Sequence, residues 1–169
     1  IEVIPYSTQK IDKKDIKEVL KTLSSPFLTQ GPKVTKFEME ISKKVNAKFA
    51  AATNSATSAL HIACLALGLG KNDWLWTSSI TFVASANCGL YCKANVDFVD
   101  INLDTGLMDI NKLSEKLSIA KKNKKLPKIV IPVHLTGSSC DMESIYRLSK
   151  EYGFAIIEDA SHALGGKYK

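Results

Sequence analysis

The chain has 169 residues, of which 45% are hydrophobic and 24% are charged, and its net charge is +6. That length and composition fit one soluble globular domain with a sizeable core. Its apolar runs are far shorter than the roughly 20 residues of a membrane-spanning helix, and its N-terminus lacks the basic and apolar regions of a signal peptide. We therefore expect a cytoplasmic location and no membrane partner.

The positive charge comes largely from one lysine cluster, which lies between a predicted helix and a predicted strand. Surfaces that bind nucleic acids are usually broader and carry interleaved aromatic residues. The sequence therefore favours a solvated loop over a phosphate-attracting patch and predicts no nucleic-acid partner. The cluster consists of Lys121, Lys122, Lys124, Lys125 and Lys128.

The four cysteines lack the closely spaced pairs of a zinc site. They are Cys64, Cys88, Cys92 and Cys140. We expect them to be reduced and buried, as is usual in a cytoplasmic protein, and we expect no metal ion.

Apolar residues at helical or strand spacing predict the elements of the first half of the chain. Asp12 caps the first helix, Ser24 ends it, and Gly68 closes a later helix. The predicted helices cover residues 13–23, 34–45 and 56–67, and the predicted strands cover residues 49–53 and 74–77.

The second half of the chain continues the alternation of helix and strand. Its predicted helices cover residues 82–92, the segment that begins at Asp109, and residues 142–152. Its predicted strands cover residues 96–101, 128–135 and 154–157.

Near-continuous apolar strands between helices are typical of a mainly parallel sheet that is covered on both faces. The sequence therefore predicts a three-layer α/β/α fold. Sites in such folds lie beyond the carboxyl ends of the strands. That rule directs attention to residues 53–57, 78–82 and 158–162.

The first of these places joins a predicted strand to a predicted helix through small residues, Thr-Asn-Ser-Ala-Thr-Ser. Free N–H groups and the helix dipole favour an anion there, and the hydroxyls of Ser55 and Thr57 can add hydrogen bonds. A plain helix cap by Asn54 or Ser55 explains the same pattern equally well. The segment lacks the GxxxxGK[ST] pattern, which argues against an NTPase.

The other two places carry an aromatic ring, a carboxylate and imidazoles. Phe82 either lies against an aromatic ring or belongs to the core. Asp159 either keeps a pyridine nitrogen protonated, as an aspartate does in enzymes that use pyridoxal phosphate (PLP), or caps a turn. His162 either reaches the phenolic oxygen of such a ring or lies on the surface. His134 either faces the site or is a structural histidine.

Together and in this order, the motifs resemble the DegT/DnrJ/EryC1/StrS sugar aminotransferase family over essentially the whole chain. Each motif is weak alone, but the ordered set is specific. The motifs are Leu28-Thr29-Gln30-Gly31-Pro32, Asn54-Ser55-Ala56-Thr57-Ser58-Ala59-Leu60, Thr81-Phe82-Val83-Ala84, Pro132-Val133-His134-Leu135 and Glu158-Asp159-Ala160-Ser161-His162-Ala163.

The resemblance implies the large domain of a fold type I PLP-dependent transferase. It implies that Ser55, Ala56 and Thr57 hold the PLP phosphate through backbone and hydroxyl groups. It also implies that Phe82 stacks on the pyridine ring and that Asp159 pairs with the ring nitrogen.

The remaining implied contacts concern the phenolic oxygen and the substrate. His162 occupies a position where many family members have glutamine, near that oxygen. The resemblance places Tyr6, Thr29, Gln30 and His134 at the border of the substrate site.

The family's PLP-binding lysine lies downstream of the aspartate motif, and neither Lys167 nor Lys169 matches its motif. The resemblance thus implies one domain over residues 1–169, made of a helical segment to about residue 47 and a partial large domain over about residues 48–169. The lysine and a small C-terminal domain would lie beyond, so this chain alone would be inactive. Family members are dimers with shared sites, and we expect a homodimer.

Within the family, His162 and the segments 74–78 and 98–100 look most like the pseudaminic acid branch. Those enzymes aminate C4 of a UDP-linked 4-keto-6-deoxy-N-acetylhexosamine, with glutamate as the amino donor. Three alternatives remain: another nucleotide-sugar aminotransferase, a PLP-fold dehydratase with histidine in place of the lysine, and a non-catalytic module that binds a sugar nucleotide or PLP. The sequence downstream of Lys169 would distinguish them.

Overall fold

The structure is a computed structural model that describes residues 8–168. The chain forms two compact units, one that ends at Ala52 and one that begins at Thr53. The predicted organisation, a single domain with a helical segment to about residue 47, stays a prediction. Tyr6, a predicted substrate residue, lies outside the described residues.

The first unit contains the two predicted helices, α1 (Lys13–Leu23) and α2 (Pro32–Lys44). Asp12 caps α1 as expected: its carboxylate accepts from the N–H groups of Lys14 at 2.6 Å and of Asp15 at 3.1 Å, and the Asp15 side chain accepts from the N–H of Asp12 at 2.8 Å. This reciprocal capping box satisfies N–H groups that have no partner inside the helix. Pro32 begins α2, where its missing N–H costs nothing.

The predicted strand over residues 49–53 is wrong. That segment has no regular secondary structure, and Phe49 is 79% exposed. A short apolar run does not by itself distinguish a strand from irregular structure, and this run is mainly alanine, which is a poor strand former. The N–H of Ala52 bonds to the Glu38 carboxylate at 2.8 Å instead of to a neighbouring strand.

The second unit is built on a parallel sheet whose strands lie in the spatial order β2 (Asn95–Val99), β1 (Trp74–Ser78), β3 (Ile129–Ile131) and β4 (Ala155–Ile156). Its elements in chain order are α3 (Ala56–Ala66), β1 (Trp74–Ser78), α4 (Ala84–Tyr91), β2 (Asn95–Val99), α5 (Ile110–Lys122), β3 (Ile129–Ile131), a 3-10 turn (Leu135–Gly137), α6 (Met142–Tyr152) and β4 (Ala155–Ile156). The predicted helices and strands of this unit are thus present, with shifted ends.

The sheet is covered on both faces, as predicted. One core cluster joins Leu75 of β1 to apolar residues of α3 and α4. The other joins Trp76, the next residue of β1, to apolar residues of α5 and α6. Because successive strand residues point to opposite faces, these two clusters define the three-layer α/β/α arrangement.

Strand β3 is shorter than the predicted strand over residues 128–135, because Pro132 has no N–H to continue the ladder. Pairing nevertheless resumes beyond it through an isolated bridge between Val133 and Asp159. The N–H of Asp159 donates to the Pro132 carbonyl, and the N–H of His134 donates to the Asp159 carbonyl, both at 3.0 Å. These bonds fix the backbone of Asp159 beyond the end of β4.

All four cysteines are buried, as expected, and none of them forms a disulfide in the described part of the chain; their reduced state stays a prediction. The lysine cluster is partly engaged by the fold itself. Lys121 and Lys125 lie over the rings of Tyr152 and Trp74, and Lys128 bonds to Asp73 at 2.9 Å.

None of the helices over residues 8–168 combines the length and the apolar character needed to cross a bilayer.

Gly89 of α4 approaches the sheet so closely that a Cβ would lie 2.8 Å from Val96 Cγ2 and 3.3 Å from Leu75 Cβ. We expect Gly89→Ala to lower the free energy of unfolding by about 1–2 kcal/mol, because overpacking outweighs the gain in helix propensity. The control Gly70→Ala adds a Cβ with no atom within 4 Å and should change that free energy by less than about 0.5 kcal/mol. Urea unfolding measures both, and equal midpoints for the two variants would contradict the packing described.

Candidate active site

The carboxyl ends of the four parallel strands meet at one edge of the sheet, and helices α3 and α4 bring their N-termini toward it. The C-terminal end of α3 lies at the opposite edge, since Lys128, just before β3, donates to the Gly68 carbonyl at 2.6 Å. Helix α4 follows β1 after a short connection and therefore begins at the carboxyl edge. The start of α4 and the strand ends therefore lie at one edge of the second unit, and the direction of α3 puts its start toward the same edge.

Asp159 is the central polar group of this region and is only 7% exposed. Its Oδ2 accepts from Ser85 Oγ at 2.7 Å. Its Oδ1 accepts from Ser161 Oγ at 2.6 Å and from the Ser161 N–H at 3.2 Å. A carboxylate oxygen has two lone pairs, so Oδ2 keeps acceptor capacity for one more donor.

Helix α4 adds a favourable field at this carboxylate. Ser85 lies in the first turn of α4, where the helix dipole places partial positive charge that stabilises an anion. A buried carboxylate is costly unless it is hydrogen-bonded and electrostatically compensated. The arrangement supplies both and aims a fixed negative group at the carboxyl edge of the sheet.

The start of α3 offers N–H donors to an anion. Ser55 caps the helix, and its Oγ accepts from the N–H of Ser58 at 3.2 Å. The N–H groups of Ala56 and Thr57 belong to the first turn, where a helix provides no partner of its own. Ser55 and Ala56 are exposed and Thr57 is half-buried. The predicted cap by Ser55 is therefore observed, and it leaves N–H groups available to a phosphate.

Phe82 lies in the connection between β1 and α4 and is 72% exposed. It therefore does not belong to the core of the second unit. An exposed aromatic face at the carboxyl edge of the sheet can cover a planar ligand ring.

His162 follows Asp159 in an exposed segment and contacts the 3-10 turn. Its Nδ1 accepts from the N–H of Thr136 at 3.3 Å. Thr136 and Gly137 have positive φ values of 56° and 89°, which a glycine adopts readily and a threonine rarely does. The turn that contacts His162 is therefore held in an uncommon backbone conformation.

His134 is 5% exposed, and both of its ring nitrogens have partners within the chain. Nε2 lies 2.9 Å from Glu158 Oε2, and Nδ1 accepts from the N–H of Cys140 at 3.2 Å. Hydrogen bonds with Cys140 and Glu158 favour the protonated imidazole and raise the pKa of His134 to about 9. A second ring proton would sit on Nδ1, however, where it would meet the N–H that Cys140 donates to that atom. The geometry therefore favours the ring with its hydrogen on Nε2, and substrate contact by His134 stays a prediction.

The other predicted substrate residues belong to the first unit. Thr29 and Gln30 are exposed, and Gln30 has a positive φ of 50°. Their substrate role, like that of Tyr6, stays a prediction.

Sequence reasoning missed three side chains that hold this region together: Ser85, Ser161 and Glu158. Ser85 lies 74 residues before Asp159 along the chain, and no local motif links them. The signal that could have found Ser85 is weak: a serine in the first turn of a helix that follows a strand end. Ser161 and Glu158 stand within the predicted aspartate motif but had no role assigned.

A sequence profile of the DegT/DnrJ/EryC1/StrS aminotransferase family matches residues 9–169. The chain belongs to this family. One relative is the UDP-4-amino-4,6-dideoxy-N-acetyl-beta-L-altrosamine transaminase of Campylobacter jejuni subsp. jejuni serotype O:23/36 (strain 81-176). The two sequences are 42% identical over 167 residues. That match covers 99% of this chain and 43% of the relative.

Solved structures of the family have the same fold. Helicobacter pylori PseC, an aminotransferase involved in the biosynthesis of pseudoaminic acid, matches with a TM-score of 0.85 at 32% identity, over 98% of this chain and 43% of PseC. The PLP form of the putative sugar aminotransferase Spr1654 from Streptococcus pneumoniae matches with a TM-score of 0.84 at 30% identity, over 96% of this chain and 44% of that protein. These matches confirm the predicted fold type I architecture, and the chain spans less than half the length of these relatives.

The hydrogen bond from His134 lowers the pKa of Glu158 from its ordinary value. A carboxyl whose pKa is lower in the folded state than in the unfolded state stabilises the fold at pH values above its unfolded-state pKa. That stabilisation is lost as the pH falls through the folded-state pKa. Because Glu158 is half-exposed, we expect the free energy of unfolding of wild type at pH 6 to exceed that of Glu158→Gln by only about 0.2–1 kcal/mol. The difference should shrink steadily below about pH 4.5.

Thermal unfolding of both proteins across this pH range measures the effect. Glu40→Gln, a substitution in α2 of the first unit, is the control for loss of one negative charge. A difference between wild type and Glu158→Gln that stays constant down to pH 3 would contradict the assigned hydrogen bond.

Proposed function

We propose that this chain forms the PLP-binding part of a sugar aminotransferase. The observation that carries the proposal is the buried Asp159 carboxylate at the carboxyl edge of the sheet. Ser85 and Ser161 donate hydrogen bonds to it, and its Oδ2 can accept one more. A pyridinium N–H requires such an acceptor. The family match and the PLP form of a related structure support the same cofactor.

The residues at this edge fit the three chemical parts of PLP. N–H groups and hydroxyls of Ser55, Ala56 and Thr57 would bind the phosphate at the start of α3. Phe82 would cover one face of the ring, and Asp159 would hold a proton on the ring nitrogen. His162 would lie near the phenolic oxygen.

Bound PLP supplies an electron sink for the negative charge that develops while an amino group moves between donor and acceptor. The task of Asp159 is to keep the ring nitrogen protonated, which makes that sink effective. Phe82 limits access of water to the ring face that it covers. The lysine that binds the cofactor and moves protons is proposed to lie downstream of Lys169.

For the substrate, we propose a UDP-linked 4-keto-6-deoxy-N-acetylhexosamine that is aminated at C4 with glutamate as the donor. The 42% identity to the Campylobacter transaminase and the structural match to PseC support this choice. Pseudaminic acid biosynthesis is the corresponding proposed role. The expected homodimer rests on the family resemblance and the expected cytoplasmic location on the sequence composition, and both stay predictions.

The test uses the complete protein that contains this chain, supplied with PLP, glutamate and the UDP-linked keto sugar. We expect formation of the 4-amino sugar, detected by mass spectrometry, and a loss of about 100-fold or more in kcat for Asp159→Asn, because the neutral amide does not hold the ring proton. Asp104→Asn, in an exposed loop, is the matched control and should keep wild-type kcat.

Two results separate the parts of the proposal. Amination of a different nucleotide sugar would overturn the substrate assignment and leave the reaction class standing. Wild-type kcat in Asp159→Asn would overturn the assigned role of the carboxylate.

A further inference from the structure

Ser85 is a fully buried serine on α4 that contacts the proposed cofactor carboxylate from a different part of the fold. Its side chain is 0% exposed, and its Oγ lies 2.7 Å from Asp159 Oδ2 and 2.9 Å from Thr81 Oγ1. Burial leaves no water to replace either contact. Ser85 therefore has two fixed partners on its hydroxyl group.

The direction of these hydrogen bonds follows from the chemistry of the partners. An ionised carboxylate only accepts hydrogen bonds, whereas a hydroxyl has one donor hydrogen and two acceptor lone pairs. Ser85 must therefore donate to Asp159, which leaves its oxygen to accept from the Thr81 hydroxyl. The chain Thr81 to Ser85 to Asp159 is polarised toward the carboxylate, and each donor strengthens the next.

Ser85 and Ser161 differ in what they anchor. Ser161 is exposed and lies only two residues after Asp159 along the chain, so its hydrogen bond is local and does not tie the carboxylate to another element of the fold. Ser85 belongs to α4, whose residues Ala84 and Cys88 are part of the core cluster. Over residues 8–168, Ser85 is the hydrogen-bond donor that ties the Asp159 carboxylate to a packed helix.

We infer that Ser85 is a positioning residue that sets the orientation of the Asp159 carboxylate toward the ring nitrogen of PLP. The inference rests on the proposed function. Ser85 itself does not touch the cofactor, and Thr81 assists by orienting the Ser85 hydroxyl. The competing explanation is that Ser85 only satisfies a buried carboxylate and contributes to stability alone.

A double-mutant cycle distinguishes these explanations. The complete protein is prepared as wild type, Ser85→Ala, Asp159→Asn and the double variant, and PLP affinity is measured by absorbance and equilibrium dialysis. Thermal unfolding of each cofactor-free variant reports stability separately. Ser149→Ala is the matched control, because Ser149 is a partly buried serine of α6, which packs on the face of the sheet opposite to α4.

We expect Ser85→Ala to weaken PLP binding by roughly tenfold, as loss of a hydrogen bond to a charged group does. In the Asp159→Asn background the same substitution should change affinity by less than about twofold, since the group it orients is no longer charged. Ser149→Ala should bind PLP like wild type. Thr81→Val should weaken binding by roughly two- to fivefold, and this variant carries the test if Ser85→Ala does not fold.

If Asp159→Asn weakens PLP binding but Ser85→Ala leaves the PLP affinity unchanged, the inference is overturned. An equal loss from Ser85→Ala in both backgrounds would also overturn it, because Ser85 would then act independently of Asp159. If Asp159→Asn itself binds PLP like wild type, the role proposed for the Asp159 carboxylate fails first and the inference fails with it.

Discussion

The rest of the second unit depends on one constraint: a carboxylate is buried at the end of a parallel sheet. Burying an ionised Asp159 without partners would cost several kcal/mol. The fold offsets that cost with two hydroxyl donors, one N–H donor and the start of a helix. The result is a rigid negative group whose position is fixed before any ligand arrives, and such preorganisation is what an electrostatic site requires.

Backbone hydrogen bonds and side-chain hydrogen bonds on both faces of the sheet together hold Asp159 in place. The Asp159 N–H donates to the Pro132 carbonyl and the His134 N–H donates to the Asp159 carbonyl, which extends the strand pairing beyond β4. Glu158 and Asp159 are adjacent and point to opposite faces, so the bond between His134 and Glu158 fixes one face while Ser85 fixes the other. Rotation of the segment would break contacts on both faces together.

Much of this fold could be predicted from the sequence, because helices and strands in an α/β protein leave strong periodic signals. Asp12 and Asp109 marked helix starts that the structure confirms. The strand at residues 49–53 was wrong because a short alanine-rich run carries no such signal. Ser85 was beyond reach, since its contact with Asp159 joins residues far apart in sequence and exists only after the sheet and α4 have packed.

The most direct test of the central claim is the protonation state of the ring nitrogen in the complete protein loaded with PLP that is labelled with 15N in the pyridine ring. The 15N chemical shift distinguishes a pyridinium from a neutral pyridine. We expect a pyridinium shift at neutral pH, because Asp159 accepts the ring N–H. A neutral pyridine shift in the folded, cofactor-loaded protein would contradict it.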